Sequence, residues 1–167
     1  FDDYEVTELP NAADVTELLI HINGEEFSLD SGKVLEYSRK LNRKFGYAGA
    51  MYPWETAFTG EEETPEWAAI NILTGKATRV WSALKEHHIT ADIAYAVWNY
   101  YLSTDDEDFM NSYGSEIIFE CAEFWFRRLQ WNKDKNRYEI KDLIGPDEYT
   151  EHIDNNAYTN YMTHYNF

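Results

Sequence analysis

TADIAYAVWNYYLS, residues 90–103, is the clearest fold signal in this 167-residue chain. Its apolar side chains recur at the three- and four-residue spacing that places them on one face of a helix. They are Ile93, Ala94, Val97 and Tyr101. Thr90 belongs to the residue types that cap helix N termini, so we expect a helix over residues 91–103. The stretch therefore predicts a mainly α-helical chain.

A second helical stretch follows after a short link. Asp105 and Asp106 stand at its start, and apolar or aromatic side chains then recur at helical spacing to about Leu129. Two helices joined by so short a link are expected to form an antiparallel pair. Cys121 falls on the apolar face, which indicates a core residue.

The remaining C-terminal segments are shorter. Residues 46–66 are rich in Gly, Pro and acidic side chains and predict a loop. Residues 131–143 predict another loop, which contains a short strand over residues 137–140. A last helix is expected from Asn155 or Asn156 to the end of the chain.

The first 44 residues predict β-structure instead. Strand-like runs cover residues 15–22, 25–29 and 33–39, and Asn23-Gly24 is a strong hairpin-turn signal between the first two. Two or three strands without a second layer are marginally stable in water. We therefore expect residues 1–44 to be a fragment of a larger sheet.

Charge and composition exclude several classes of protein. The chain has 31 acidic and 14 basic side chains, a formal net charge of −17, which repels nucleic-acid phosphates and anionic membranes. No apolar run approaches the roughly 20 residues that span a bilayer. Aromatic residues make up 17% of the chain, which is too many for a disordered protein. No signal peptide is visible, and the single Cys121 fits a reducing compartment, so we expect a cytoplasmic protein.

Two adjacent carboxyl groups follow a Gly-Pro turn near the end of the chain. Residues 144–149 read IGPDEY, and either Asp147 or Glu148 could donate a proton if partial burial raised its pKa. A solvated or helix-capping carboxylate is the alternative. Asn155 and Asn156 follow closely and either cap the last helix or bind a sugar.

Two other segments are candidate binding positions. Trp54-Glu55 could supply a stacking ring and a carboxylate for sugar hydroxyls, although a core Trp beside an exposed Glu is the commoner outcome. His88 and Asp92 have the four-residue spacing of metal ligands on a helix. No second motif supplies a third ligand, so we predict no metal site and expect polar contacts from His88 and Thr90.

Six short motifs together resemble glycoside hydrolase family 65, which contains maltose, kojibiose, nigerose and trehalose phosphorylases and some hydrolases. The motifs cover residues 52–56, 59–62, 86–98, 113–117, 144–149 and 154–160 and occur in the family's order. The resemblance implies that residues 45–167 are a fragment of an (α/α)6-barrel catalytic domain. Residues 1–44, notably 32–39, resemble part of the family's N-terminal β-sandwich domain.

The resemblance also implies a reaction, the inverting phosphorolysis of an α-linked glucose disaccharide to β-glucose 1-phosphate and glucose. Its general acid falls on Glu148, and inorganic phosphate is a co-substrate, with no cofactor. Matching sugar-contact positions are Trp54, Glu55, His88 and Thr90, and Asn155 and Asn156 would shape the same pocket. The alternatives are an inverting α-glucoside hydrolase and a non-catalytic truncated remnant. A complete family member could form a homodimer.

The chain departs from the family pattern in its length. A complete member has several hundred residues between the sandwich strands and the Trp54-Glu55 loop, and further motifs after the position of Phe167. Twelve barrel helices with their connections need roughly 190 residues, more than follow Lys44. We therefore expect a partial chain that lacks an internal segment and the C-terminal part, with an apolar helix face left uncovered.

Overall fold

The computed structural model describes residues 17–22, 25–44, 46–57 and 59–167, and side chains from residue 35 onward except at residue 44. The described segments alternate short hairpins with helices. In chain order they are β1 (Glu17–Ile22), β2 (Glu25–Asp30), α1 (Ser31–Lys44), β3 (Trp67–Ile70), β4 (Ala77–Arg79), α2 (Ser82–Lys85), α3 (His88–Thr104), α4 (Glu107–Phe109), a π-helical segment (Met110–Gly114), α5 (Ser115–Arg128), β5 (Gln130–Asn132), β6 (Arg137–Glu139) and α6 (Ala157–Asn166). Among these, no helix is long and apolar enough to cross a membrane.

The N-terminal hairpin is confirmed, but the third predicted strand is wrong. Strands β1 and β2 pair antiparallel, with Ile22 opposite Glu25. The predicted turn Asn23-Gly24 and the strand start at residues 15–16 lie outside the described residues. Residues 33–39 belong to helix α1.

Burial of one face explains why residues 33–39 form a helix. Leu35, Ser38, Leu41 and Asn42 are all buried, and their spacing is that of one helix face. The local sequence also fits a strand, and tertiary packing decides between the two. Helix α1 packs with the residues that follow it. The assignment of residues 1–44 to a β-sandwich domain stays a prediction.

Two clusters of buried side chains form the core. One contains Leu41, Met51, Ala91, Phe124, Trp125, Ile140, Leu143 and Met162. The other contains Leu35, Ala50, Tyr52, Ala94, Ile117 and Cys121, against which Ile93 and Val97 pack. The predicted apolar face of α3 is confirmed at Ile93, Ala94 and Val97 but not at Tyr101, which lies in neither cluster, and the core position of Cys121 is confirmed. Helices α1, α3 and α5 therefore enclose the segment at residues 50–52.

Helix α3 begins earlier than predicted. It starts at His88, and the Thr90 side chain does not cap it. The Thr90 hydroxyl instead accepts a hydrogen bond from the backbone N–H of Tyr52, at 3.0 Å. At the next helix start, the carboxylate of Asp106 does cap α4, where it accepts from the N–H of Phe109 at 2.8 Å.

The shorter elements match the sequence only in part. Residues 46–57 and 59–66 are a loop, as predicted, but the hairpin of β3 and β4 that follows was missed. The predicted strand at residues 137–140 is β6, and its partner β5 was not foreseen. Helix α6 starts where expected, and Asn156 caps it by accepting from the N–H of Thr159 at 3.0 Å.

Candidate active site

Glu148 lies in a loop, residues 145–152, whose two ends are joined by backbone hydrogen bonds. Leu143 and Ile153 each donate to the carbonyl of the other, at 2.9 Å in both directions. Next to this pair, the backbone N–H of Asn155 donates to the carbonyl of Ile140 at 2.7 Å. The 145–152 loop thus leaves the core and returns to it at a single pair of hydrogen-bonded residues.

The carboxylate of Glu148 is exposed to solvent in this chain. Its backbone has a φ of 39°, in the left-handed region that few non-glycine residues adopt. Within the described residues Glu148 is thus not even partly buried, and its carboxylate has the solvated position named above as the alternative. Asp147, the competing carboxylate, accepts hydrogen bonds from the backbone N–H and the hydroxyl of Thr150.

A second group of polar and aromatic side chains surrounds His88. This His88 cluster contains Trp54, Glu86, His88, Asp92 and Tyr158. The imidazole of His88 is buried between two carboxylates, with Nδ1 2.8 Å from Asp92 and Nε2 3.2 Å from Glu86. The rings of Trp54 and Tyr158 meet it edge to face, with centroids at 5.9 Å and 5.4 Å.

The two carboxylates determine the charge state of the His88 cluster. Burial disfavours the charged imidazole, but the hydrogen bonds to Asp92 and Glu86 outweigh it and raise the pKa of His88 to about 9. The Tyr158 hydroxyl donates to Asp92 at 2.8 Å, which raises the pKa of Tyr158 to about 12. At neutral pH the imidazole of His88 is therefore positively charged, between the carboxyl groups of Asp92 and Glu86.

One oxygen of the His88 cluster has no hydrogen-bond partner among the described residues. It is Oε2 of Glu86, whose side chain is fully buried. A buried acceptor of this kind carries a free-energy cost until a donor reaches it. A hydroxyl group or a water molecule has the chemistry to supply that donor.

The loop that carries Trp54 and Glu55 is organised by another carboxylate. Glu62 accepts from the backbone N–H of Trp54 at 2.8 Å and from that of Glu55 at 3.3 Å. Trp54 is half-buried against His88, while the Glu55 side chain is exposed. Both side chains are thus held on a fixed backbone beside the His88 cluster.

Asn155 and Asn156 contact the protein's own backbone. The side chain of Asn155 accepts from the N–H of Ile140 at 3.1 Å, and Asn156 caps α6. Gly145 lies against the Asn156 amide so closely that a Cβ there would come within 3.0 Å of it. Asn156 therefore links the start of the 145–152 loop to the helix that carries Tyr158.

The structure brings together some of the predicted residues and adds others. Trp54 and His88 are in contact. Asn156 joins the 145–152 loop to helix α6, which carries Tyr158. The Thr90 hydroxyl instead accepts from the backbone N–H of Tyr52. Sequence reasoning missed the roles of Glu86, Asp92 and Tyr158. The four-residue spacing of His88 and Asp92 was the available signal, and it reflects an ion pair. In the described part of the chain, no three potential ligands gather around a metal position.

Comparison with known proteins identifies the family. Residues 32–167 match the model of the glycosyl hydrolase family 65 central catalytic domain. The chain belongs to glycosyl hydrolase family 65. The resemblance inferred from the six motifs is thereby confirmed.

Relatives within family 65 include phosphorylases and hydrolases. The kojibiose phosphorylase of Halothermothrix orenii is 58% identical over 137 residues, covering 78% of this chain and 18% of that enzyme. The kojibiose phosphorylase of Thermoanaerobacter brockii is 53% identical, covering 80% and 17%. A kojibiose hydrolase of Flavobacterium johnsoniae is 47% identical, covering 75% and 17%. The chain thus spans less than a fifth of the length of these relatives.

A solved structure supports the fold class. A human-microbiome protein provisionally assigned as a kojibiose phosphorylase matches with a TM-score of 0.66 at 27% identity, covering 80% of this chain and 18% of that one. The mainly α-helical prediction is confirmed, and the helices are part of the (α/α)6 barrel of family 65.

Proposed function

We propose that the whole protein is an inverting phosphorylase that converts kojibiose and inorganic phosphate to β-glucose 1-phosphate and glucose. The 58% and 53% identity to two kojibiose phosphorylases carries this proposal. A nigerose phosphorylase is less similar, at 37% identity, which favours kojibiose as the substrate. The proposed site of action is the cytoplasm, as the single Cys121 indicates.

In the proposed reaction, Glu148 donates its proton to the glycosidic oxygen as the bond to the anomeric carbon breaks. Phosphate attacks that carbon from the opposite face, which inverts its configuration. Because phosphate is already an anion, the reaction needs no second protein carboxylate as base, unlike an inverting hydrolase. Inorganic phosphate is the co-substrate, and the proposal assigns no step to a cofactor.

The remaining candidate residues bind the sugar in this proposal. Trp54 offers a half-buried ring held by His88, and Glu55 offers an exposed carboxylate on the same loop. Aromatic faces and carboxylates suit the apolar faces and hydroxyl groups of glucose. Asn156 positions the start of the Glu148 loop through its contact with Gly145.

The first experiment measures products from the full-length protein. It is incubated with kojibiose, nigerose, maltose and trehalose, each with and without phosphate. We expect β-glucose 1-phosphate from kojibiose only when phosphate is present. Glucose release that does not depend on phosphate would instead support a hydrolase, the alternative favoured by the 47% identity to a kojibiose hydrolase, and no turnover would support a non-catalytic protein.

The second experiment tests the acid. Replacing a general acid removes a contribution of about 10²–10⁴-fold in rate, so we expect Glu148→Gln to lower kcat by that amount with an unchanged melting temperature. Asp147→Asn is the matched control, because it changes the adjacent carboxyl group, and we expect a much smaller loss. Full activity of Glu148→Gln would remove Glu148 as the acid.

A further inference from the structure

The 145–152 loop extends away from the core and has few contacts of its own. Residues 146–152 are all exposed, and Tyr149 is fully so. Among the described residues, the side-chain hydrogen bonds within the loop run from Thr150 to Asp147. A loop of this kind takes its position from the residues at its two ends.

Asp142 is the centre of the contacts at the base of the loop. Its carboxylate pairs with the ammonium group of Lys85, at the end of α2, and lies 2.7 Å from Nδ1 of His152. Its backbone N–H donates to the carboxylate of Asp154 at 3.0 Å. Asp142 precedes the loop, while His152 and Asp154 follow Glu148, so these contacts connect its two ends.

Helices α2 and α5 attach this base to the core. The buried guanidinium of Arg128, in α5, donates from Nη2 to the carbonyls of Lys141 at 2.5 Å and of Asp142 at 3.3 Å. Its Nε donates to Nδ1 of the buried His87 at 3.3 Å. The N–H of Ile144 donates to the carbonyl of Lys85 at 3.1 Å. The start of the loop is therefore fixed from two directions.

Backbone conformation indicates that the loop is held against strain. Asp142, Glu148 and His152 have φ values of 53°, 39° and 56°. A non-glycine residue with a left-handed backbone conformation costs free energy, and this conformation persists where surrounding contacts maintain it. The ring of His152 also packs edge to face on Trp81, with centroids 4.9 Å apart.

We propose that Asp142 and His152 are positioning residues that set the direction of the Glu148 carboxyl group. This inference rests on the proposed function, because it takes Glu148 as the proton donor. A proton donor works within hydrogen-bond reach of its acceptor, and a misplacement of about 1 Å can cost about 10²-fold in rate. Loss of the Asp142–His152 contact lets the loop leave that geometry while the sugar-binding residues on other elements stay in place.

The test compares two leaving groups in the full-length protein. Cleavage of kojibiose needs a proton on the departing oxygen. Cleavage of α-glucosyl fluoride does not, because phosphate attacks the anomeric carbon and fluoride leaves with the electron pair of the carbon–fluorine bond. A defect in proton donation therefore slows the first substrate and spares the second, whereas general damage to the site slows both.

Asp142→Asn keeps the size of the side chain, and His152→Phe keeps a ring against Trp81 but removes the nitrogen that meets Asp142. We expect each to lower kcat for kojibiose by about 10–100-fold, with KM and the rate with α-glucosyl fluoride within about twofold of the wild type. Both positions are exposed, so the melting temperature is expected to change little. The matched control is Asp134→Asn, at the exposed tip of the β5–β6 hairpin, which should leave both rates unchanged.

Two results would overturn the proposal: equal losses on both substrates in Asp142→Asn and His152→Phe, or no loss on either. Glu148→Gln serves as the separate check of the proposed function. If Glu148→Gln loses kojibiose cleavage and keeps fluoride cleavage, Glu148 is the donor, and the positioning variants are judged on their own. If Glu148→Gln keeps kojibiose cleavage, the proposed acid is wrong, and the positioning role falls with it.

Discussion

His88 shows how neighbours determine the chemistry of a single residue. A buried imidazole is expected to be neutral, and His87, one residue earlier, is so: burial and then the charge of Arg128 lower the pKa of His87 to about 3. His88 is also buried but has two carboxylate partners, so its pKa is raised. Adjacent histidines thus carry different charges at neutral pH.

The charge of His88 predicts a pH dependence of stability. The pKa of His88 is about 9 in the folded chain, compared with 6.5 for an ordinary histidine, the value taken for the unfolded chain. A raised pKa stabilises the folded state fully below pH 6.5, and the stabilisation is lost as the pH rises through 9. We expect a loss on the order of 1–3 kcal/mol between pH 6 and pH 9.5, measured by denaturant unfolding.

The control for this prediction is a comparison of variants. His88→Gln should remove most of the difference between the two pH values, while His164→Gln, at an exposed position on α6, should keep it. Tyr158, with its pKa raised to about 12, stays protonated over this range and does not contribute. Equal pH dependence in wild type and His88→Gln would contradict the assignment.

At the scale of elements, a loop and a helix pack together through a close approach of their backbones. The loop at residues 46–52 runs against α5, where the N–H of Ala50 donates to the carbonyl of Glu120 at 3.0 Å. Gly49, with a φ of 81°, has no room for a Cβ, which would lie within 3.0 Å of backbone atoms of Glu120 and Phe124. Only glycine allows this contact.

Replacement of Gly49 separates crowding from backbone strain. Gly49→Ala is expected to cost about 2–5 kcal/mol, the sum of a left-handed backbone and overpacking against α5. Gly46→Ala is the matched control, because Gly46 has a φ of 76° but no atom within 4 Å of the position that a Cβ would take. It should cost only about 1–2 kcal/mol. Equal costs in thermal or denaturant unfolding would rule out the close approach.

Sequence reasoning succeeded for elements whose signals are local. The helix pair, the Asn156 cap and the strand at residues 137–140 follow from periodicity and capping chemistry. It failed where distant contacts decide. Residues 33–39 fit a strand or a helix, and burial against the core selects the helix. Thr90 is a residue type that caps helices, but its hydroxyl accepts a hydrogen bond from the backbone N–H of Tyr52.

The candidate site shows the same division. Motif resemblance named Glu148, Trp54 and His88, yet it could not show that Glu148 lies on an exposed loop. The partners of that loop, Asp142 and Arg128, come from separate segments, and no local pattern joins them before the chain folds. The role of Tyr158 likewise depends on a hydrogen bond across 66 positions of sequence.

The whole molecule presents an unusual balance of apolar surface and charge. Large apolar side chains are exposed on the β3–β4 hairpin and on several helices, with Ile72 97% and Leu73 95% exposed. Others include Trp67, Ile70, Leu102, Phe119, Phe126 and Phe167. Apolar patches of this kind are typical of surfaces that another structure covers. The net charge of −17 opposes contact between two copies.

Ionic strength should therefore control self-association of the 167-residue polypeptide. Raising the salt concentration from about 0.01 M to 1 M shortens the Debye length from about 30 Å to about 3 Å, which screens repulsion, while the attraction between apolar side chains remains. We expect sedimentation velocity to show more association at high salt, together with binding of an apolar dye. A double variant, Ile72→Ser with Leu73→Ser, should reduce association at every salt concentration, and Lys76→Ser on the same hairpin is the control. Association that weakens as salt rises would mean that ion pairs, rather than these apolar side chains, hold the copies together.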